Sequence, residues 1–73
     1  MKPKMQKTRL YIGKHLREMR KQHGLLQKTI ADYLGISVAV YSNFEKDNAE
    51  PSLSIVIGLA EFYETTTDNI LNV

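Results

Sequence analysis

Serine and histidine are the residue types here that could do nucleophilic or acid–base chemistry, and their spacing does not support it. Ser37, Ser42, Ser52 and Ser54 lack a surrounding Gly-x-Ser-x-Gly elbow. His15 and His23 share one segment with no carboxylate placed to complete a triad. His23, near the end of that segment, reads as a partner for a helix dipole, and His15 as an exposed residue. With no cysteine, disulfides and thiolate metal sites are excluded. Two histidines cannot complete a metal site unaided. The four glycines are dispersed, so no glycine-rich loop cradles a phosphate. An enzyme is therefore not expected, nor are catalytic residues, a metal, a cofactor or a small-molecule ligand.

What these residues can do is attract a polyanion. Residues 1–23 hold eight Lys/Arg and one Glu, a balance of +7; residues 24–73 hold two Lys and seven Asp/Glu, a balance of −5. The net charge of +2 hides this split. A basic arm and first helix on an acidic body suit nucleic acid. A solvated tail that aids solubility would explain the charge alone.

The chain has 73 residues, enough for one domain. Residues 1–8 read as a basic, flexible arm and 9–73 as the domain. A core of this size rarely supplies more than about 3–5 kcal/mol, so close helix packing helped by oligomerisation is expected. Hydrophobic residues at 42% and charged residues at 25% place the chain among globular proteins. No apolar run approaches the roughly 18 residues of a membrane span. No apolar signal core follows the basic start. A cytoplasmic protein without membrane contact is the expectation.

The elements that must position the chemistry are five short helices, and no stretch sustains the alternation of a strand. Ile12, Leu16 and Met19 form one stripe of a helix between Leu10 and His23, and Gly24 supplies a left-handed stop. Gln27 to Leu34 is the second, with Ile30, Ala31 and Leu34 inward. Gly35 ends it and Ile36 plugs the turn. Ser37 caps a third helix reaching about Lys46, with Tyr41 and Phe44 inward. Asp47-Asn48-Ala49-Glu50-Pro51 is a loop by composition. Ser52 caps a fourth helix, Leu53 to Tyr63, whose stripe of Leu53, Val56, Ala60 and Tyr63 should enter the core. Thr67 can cap a fifth, with Asp68 meeting its dipole.

Gln27 to Lys46 reads as one unit. A helix-turn-helix needs a tight connection and a steeply inclined second helix. Ala31 is small enough for close packing, Gly35 permits the left-handed turn, and Ile36 anchors it. Tyr41 and Phe44 wedge the second helix onto the core. In register, these residues are a specific signal.

With its segments IGKHLREMRKQHGLLQ, ADYLGIS, YSNFEK and EPSLSIVIGLAEFY, the chain resembles the Cro/repressor-like helix-turn-helix domains of bacteria and phages. The match runs from about Arg9 to Leu71. That resemblance implies an all-α, compact five-helix bundle. It also implies sequence-specific binding of double-stranded DNA by a homodimeric, repressor-like transcriptional regulator, nucleoid-associated when bound. It implies that Arg20 pairs with Glu45, a structural ion pair that sets a helix angle. Val38, Ala39, Ser42 and Asn43 match positions facing base edges in the major groove. Gln27 and Ser37 match phosphate contacts, and Lys46 and Asn48 sit where the following loop meets phosphate. Lys28, beside Gln27, could add charge.

Departures from the family pattern matter as much. Val38 and Ala39 stand where relatives often carry Gln, Arg or Ser. They cannot hydrogen-bond a base but can touch a thymine methyl. Asn43, and Ser42 after it, are left to exchange hydrogen bonds. Leu26 stands where a Ser or Thr cap is common, a loss of about 1 kcal/mol. Asp47 stands where glycine is frequent, and its charge, with that of Glu50, is expected on the DNA side. Lys2, Lys4, Lys7 and Arg9 would compensate if the arm lies along DNA. On the fourth helix a second apolar stripe of Ile55, Leu59 and Phe62, with Val73, is expected to contact a second copy. The alternative function is a protein-interaction or antitoxin-like module on the same fold. The apolar start at Val38, Ala39 and Val40 would then enter a protein groove.

Overall fold

The computed structural model describes residues 9–73. The basic residues Lys2, Lys4 and Lys7 of the expected arm lie outside the described residues. Five α-helices follow one another: α1 (Gly13–Gln22), α2 (Gln27–Leu34), α3 (Val38–Glu45), α4 (Leu53–Phe62) and α5 (Thr67–Leu71). Among the described residues there is no strand, and no helix is long and apolar enough to cross a membrane.

The helices are punctuated by local chemistry. The Ser37 hydroxyl accepts from the Val40 amide at 3.1 Å and so caps α3. Ser52 does the same for Ile55 at the start of α4. Leu26 precedes α2 with no side-chain cap. Gly35 ends α2 in the left-handed region, φ 72°, and the Ile36 amide returns to the Ala31 carbonyl. Thr66, one residue before the expected Thr67, caps α5 by accepting from Asn69; Asp68 lies in its first turn.

One core joins the helices. Ile12, Leu16 and Met19 meet Ile30 and Ala31, Tyr41 and Phe44, Val56, Leu59 and Ala60, and Ile70. Gly13 lets α1 come against the end of α3: a Cβ there would lie 2.7 Å from the Phe44 carbonyl oxygen. The start of α1 departs from expectation. Residues 10–12 are not helical, and the chain around them is tied to the loop after α3. The Leu10 amide donates to Glu50 at 2.6 Å, the Gly13 amide donates to Asp47 Oδ1 at 3.0 Å, and Arg9 donates to the Asp47 carbonyl.

Two assignments on α4 are corrected. Leu59 is fully buried, so it cannot be a contact to a second copy. The two stripes are one broad face centred on Val56, Leu59 and Ala60, with Ile55 and Phe62 half-buried at its margin. Leu53 is 74% exposed instead of entering the core. It is the first residue of α4, and among the described residues that end is left open.

Candidate nucleic-acid interface

The helix-turn-helix unit is built around a buried ion pair. Arg20 on α1 grips Glu45 at the end of α3 through two hydrogen bonds, Nε to Oε2 at 2.7 Å and Nη2 to Oε1 at 3.0 Å. The Arg20 guanidinium also donates to the Leu25 carbonyl at 3.0 Å, and Gln27 Nε2 donates to Glu45 Oε1 at 3.1 Å. Three elements are thereby tied at one carboxylate: α1, the entry to α2 and the end of α3. Burial alone would raise the Glu45 carboxyl. Arg20, followed by Tyr41 and Gln27, favours the charged form and holds it below the ordinary carboxylate value. The hydrogen bond to Glu45 outweighs burial and holds Arg20 more firmly protonated than usual. Tyr63 nearby buries its hydroxyl without a hydrogen-bond partner among the described residues, and the buried Tyr41 hydroxyl is turned toward Glu45 short of full hydrogen-bond geometry. Burial and the Glu45 charge keep both phenols protonated, pushing Tyr63 up to about 12.

Beside this pair lies an open cleft of about 340 Å³, lined by Arg17, Arg20, Gln27, Ser42, Glu45 and Lys46. Glu45 is neutralised by Arg20 inside it. Arg17 and Lys46, both exposed, leave its rim cationic. Gln27 and Ser42 add hydrogen-bonding groups. This arrangement can hold an anion, and it contains no activated nucleophile.

The face of α3 turned away from Tyr41, Phe44 and Glu45 is open. Val38, Ala39, Val40 and Lys46 are exposed, and Ser42 and Asn43 are half-buried. The four residues expected at base edges, Val38, Ala39, Ser42 and Asn43, therefore lie on one helix whose buried side fixes its inclination. The residues expected at phosphate are more dispersed. Gln27, Lys46 and Ser42 come together at the cleft. Ser37 is exposed; its hydroxyl oxygen accepts the α3 cap bond, which leaves the O–H free to donate. Lys28 pairs with Asp32 at 2.7 Å on the exposed surface. Asn48 is exposed in the loop, its amide returning to the Asn43 carbonyl at 2.9 Å. Arg17 was not singled out from sequence. Its signal was the spacing to Arg20, which puts both guanidinia on adjacent positions of one helix face. The Asp47 and Glu50 carboxylates point at the backbone of residues 10–13. His15 donates through Nε2 to the Asn69 carbonyl oxygen, 2.6 Å away, and His23 lies against the Tyr63 ring.

The helix-turn-helix family matches residues 16–70. The chain belongs to the helix-turn-helix family. A family relative is the HTH-type transcriptional regulator ImmR of Bacillus subtilis (strain 168), 35% identical over 60 residues, 82% of this chain and 47% of ImmR. Another is the uncharacterized HTH-type transcriptional regulator YazB of the same organism, 33% identical over 58 residues, 80% of this chain and 84% of YazB. The chain spans about half the length of the first curated relatives it matches. The fold is also that of the P22 c2 repressor protein, solved in complex with a synthetic operator. Their TM-score is 0.73 at 24% identity, covering 86% of this chain and 94% of that one. An all-α helix-turn-helix domain is thus established by family and fold together.

Proposed function

We propose that this chain is the DNA-binding unit of a repressor-like transcriptional regulator, acting in the cytoplasm on double-stranded DNA with α3 in the major groove. The observation that carries the reading is the open outer face of α3, locked in place by the Arg20–Glu45 pair and flanked by the cationic cleft. In this reading Asn43 and Ser42 hydrogen-bond base edges, while Val38 and Ala39 touch them through apolar contact. Gln27, Lys46 and Arg17 hold one phosphate at the cleft. Ser37, Asn48 and Lys28 approach the backbone on either side, Lys28 exchanging Asp32 for phosphate. The relatives' names as transcriptional regulators and the P22 c2 repressor's operator complex support the same reading.

A homodimer completes the proposal, since two half-sites double the specific contacts. Leu53 and Ile57, exposed one turn apart on α4, and the exposed Val73 supply its contact; Ile55 and Phe62 lie on the opposite margin of the helix, half-buried within the domain. The experiment is fluorescence anisotropy against a random-sequence duplex pool, followed by sequencing of the retained DNA. Enrichment of a palindromic site, lost with Asn43→Ala, is expected. Absence of binding at low salt would overturn the reading in favour of a protein partner for the apolar start of α3.

A further inference from the structure

The cleft between α1, the start of α2 and the end of α3 carries more positive charge than one link of a DNA backbone can match. We propose that it binds a free phosphate monoester, a small dianion that competes with DNA for the same residues. The competition rests on the DNA-binding reading above; binding of the ester does not. The cleft encloses about 340 Å³, inside the range of small-ligand sites, which begins at roughly 300 Å³. Its lining of Arg17, Arg20, Gln27, Ser42, Glu45 and Lys46 has no apolar side chain, which disfavours a hydrocarbon or aromatic ligand. These residues come from α1, α2 and the end of α3, so the site is assembled by folding and no local pattern of the sequence contains it.

Charge decides what enters. Glu45 is compensated within the fold by Arg20, through hydrogen bonds of 2.7 and 3.0 Å. Arg17 and Lys46 are exposed and form no ion pair among the described residues. The lining therefore holds three cations and one anion, a balance of +2. Lys28 adds nothing to it, because Asp32 holds that ammonium. Gln27 is the first residue of α2, a helix with no side-chain cap and no acidic residue in its first turn. The Gln27 and Lys28 amides meet no acceptor among the described residues, and such a helix end favours anions. Arg20 has five N–H donors. Glu45 takes two and the Leu25 carbonyl one, which leaves two to donate. A backbone phosphodiester brings one negative charge, half of what the lining can match. A phosphate monoester brings close to two at neutral pH, on three acceptor oxygens. The Arg17 guanidinium supplies the planar fork that suits phosphate, and Lys46 a point charge beside it.

The test titrates the isotope-labelled chain, followed by NMR at neutral pH, with methyl phosphate and separately with dimethyl phosphate. Chloride holds the ionic strength equal. Saturable shifts at the Gln27, Ser42 and Lys46 amides are expected with the monoester, and about tenfold weaker binding with the diester, which lacks one charge. Arg17→Gln and Lys46→Gln, with folding checked by circular dichroism, should each weaken the monoester about tenfold. Equal, unsaturated shifts from both esters would overturn the proposal, since screening alone produces them. Undiminished monoester binding in both variants would overturn its assignment to the cleft. The selected duplex is then titrated by anisotropy with and without saturating methyl phosphate, and weaker DNA binding than in matched chloride is expected. Unchanged DNA affinity would overturn the competition. A 5′-phosphate on a DNA strand is the same chemical group, so duplexes with and without it are compared. Equal affinity is expected, and tighter binding of phosphorylated ends would overturn the free ester as the ligand. Monoester binding by a chain that holds no DNA would overturn the DNA-binding reading and leave the anion site standing.

Discussion

At the scale of single residues, the geometry rests on Glu45. Its side chain is 4% exposed and that of Arg20 13%, so removing either charge strands the other in a poorly solvated place. Arg20→Met should cost about 3 kcal/mol in urea unfolding, the low end for a broken buried pair. The double change Arg20→Met, Glu45→Leu should cost much less, because no unpaired charge remains. The same carboxylate sets an acid limit. Its folded pKa lies below the ordinary value, so its stabilisation is fully present above the unfolded value of about 4.3. It is lost as pH falls through the folded value. Unfolding free energy measured between pH 6 and pH 3 should therefore drop, and Glu45→Gln should flatten that drop. The pairing of Arg20 with Glu45 was legible because the family register names both partners. The roles of Asp47 and Glu50 were not. Their partners, Gly13 and Leu10, lie 34 and 40 positions away in sequence, beyond any local pattern. Their charges are spent on the backbone before α1, a tertiary cap for a helix with no capping side chain of its own.

At the scale of elements, what was legible was local. Ser37 and Ser52 cap the helices they precede because a hydroxyl there meets the first free amides. Gly35 is needed at φ 72° because a Cβ would be strained there. The missing cap at Leu26 was also visible in the sequence, and it is correctable. Leu26 is extended, with φ −87° and ψ 151°, the backbone a capping residue takes. Leu26→Ser should stabilise the domain by about 1 kcal/mol, read as a higher urea midpoint at unchanged slope. Loss of stability there would contradict the assignment of Leu26 to the N-cap. What was illegible depended on neighbours. Apolar residues surround most of α4, so periodicity alone could not tell which belonged to the core. Contact with α2 and α5 buries Leu59 and leaves Leu53 beyond the end of the packing.

At the scale of the whole molecule, charge and surface decide the function. The outer face of α3 and the Arg17–Lys46 cleft share one side of the domain, and binding there should release counterions. If Lys2, Lys4, Lys7 and Arg9 neutralise four further phosphates, they add about −3.6 to the slope of log K against log salt. The double change Arg17→Gln, Lys46→Gln should make the slope of log K against log salt shallower by roughly 0.9 and weaken all sequences alike. Sedimentation at high micromolar concentration should show dimer, and Ile57→Glu should return it to monomer; monomer alone in the unaltered chain would remove the dimer. The most direct measurement is an NMR titration of the labelled chain with the selected duplex, following every backbone amide. The account predicts large shifts at Gln27, at Ser37 through Asn43 and at Lys46, with the α4 surface around Leu53 and Ile57 unchanged beyond dimer effects. Shifts confined to α4, with α3 silent, would contradict it.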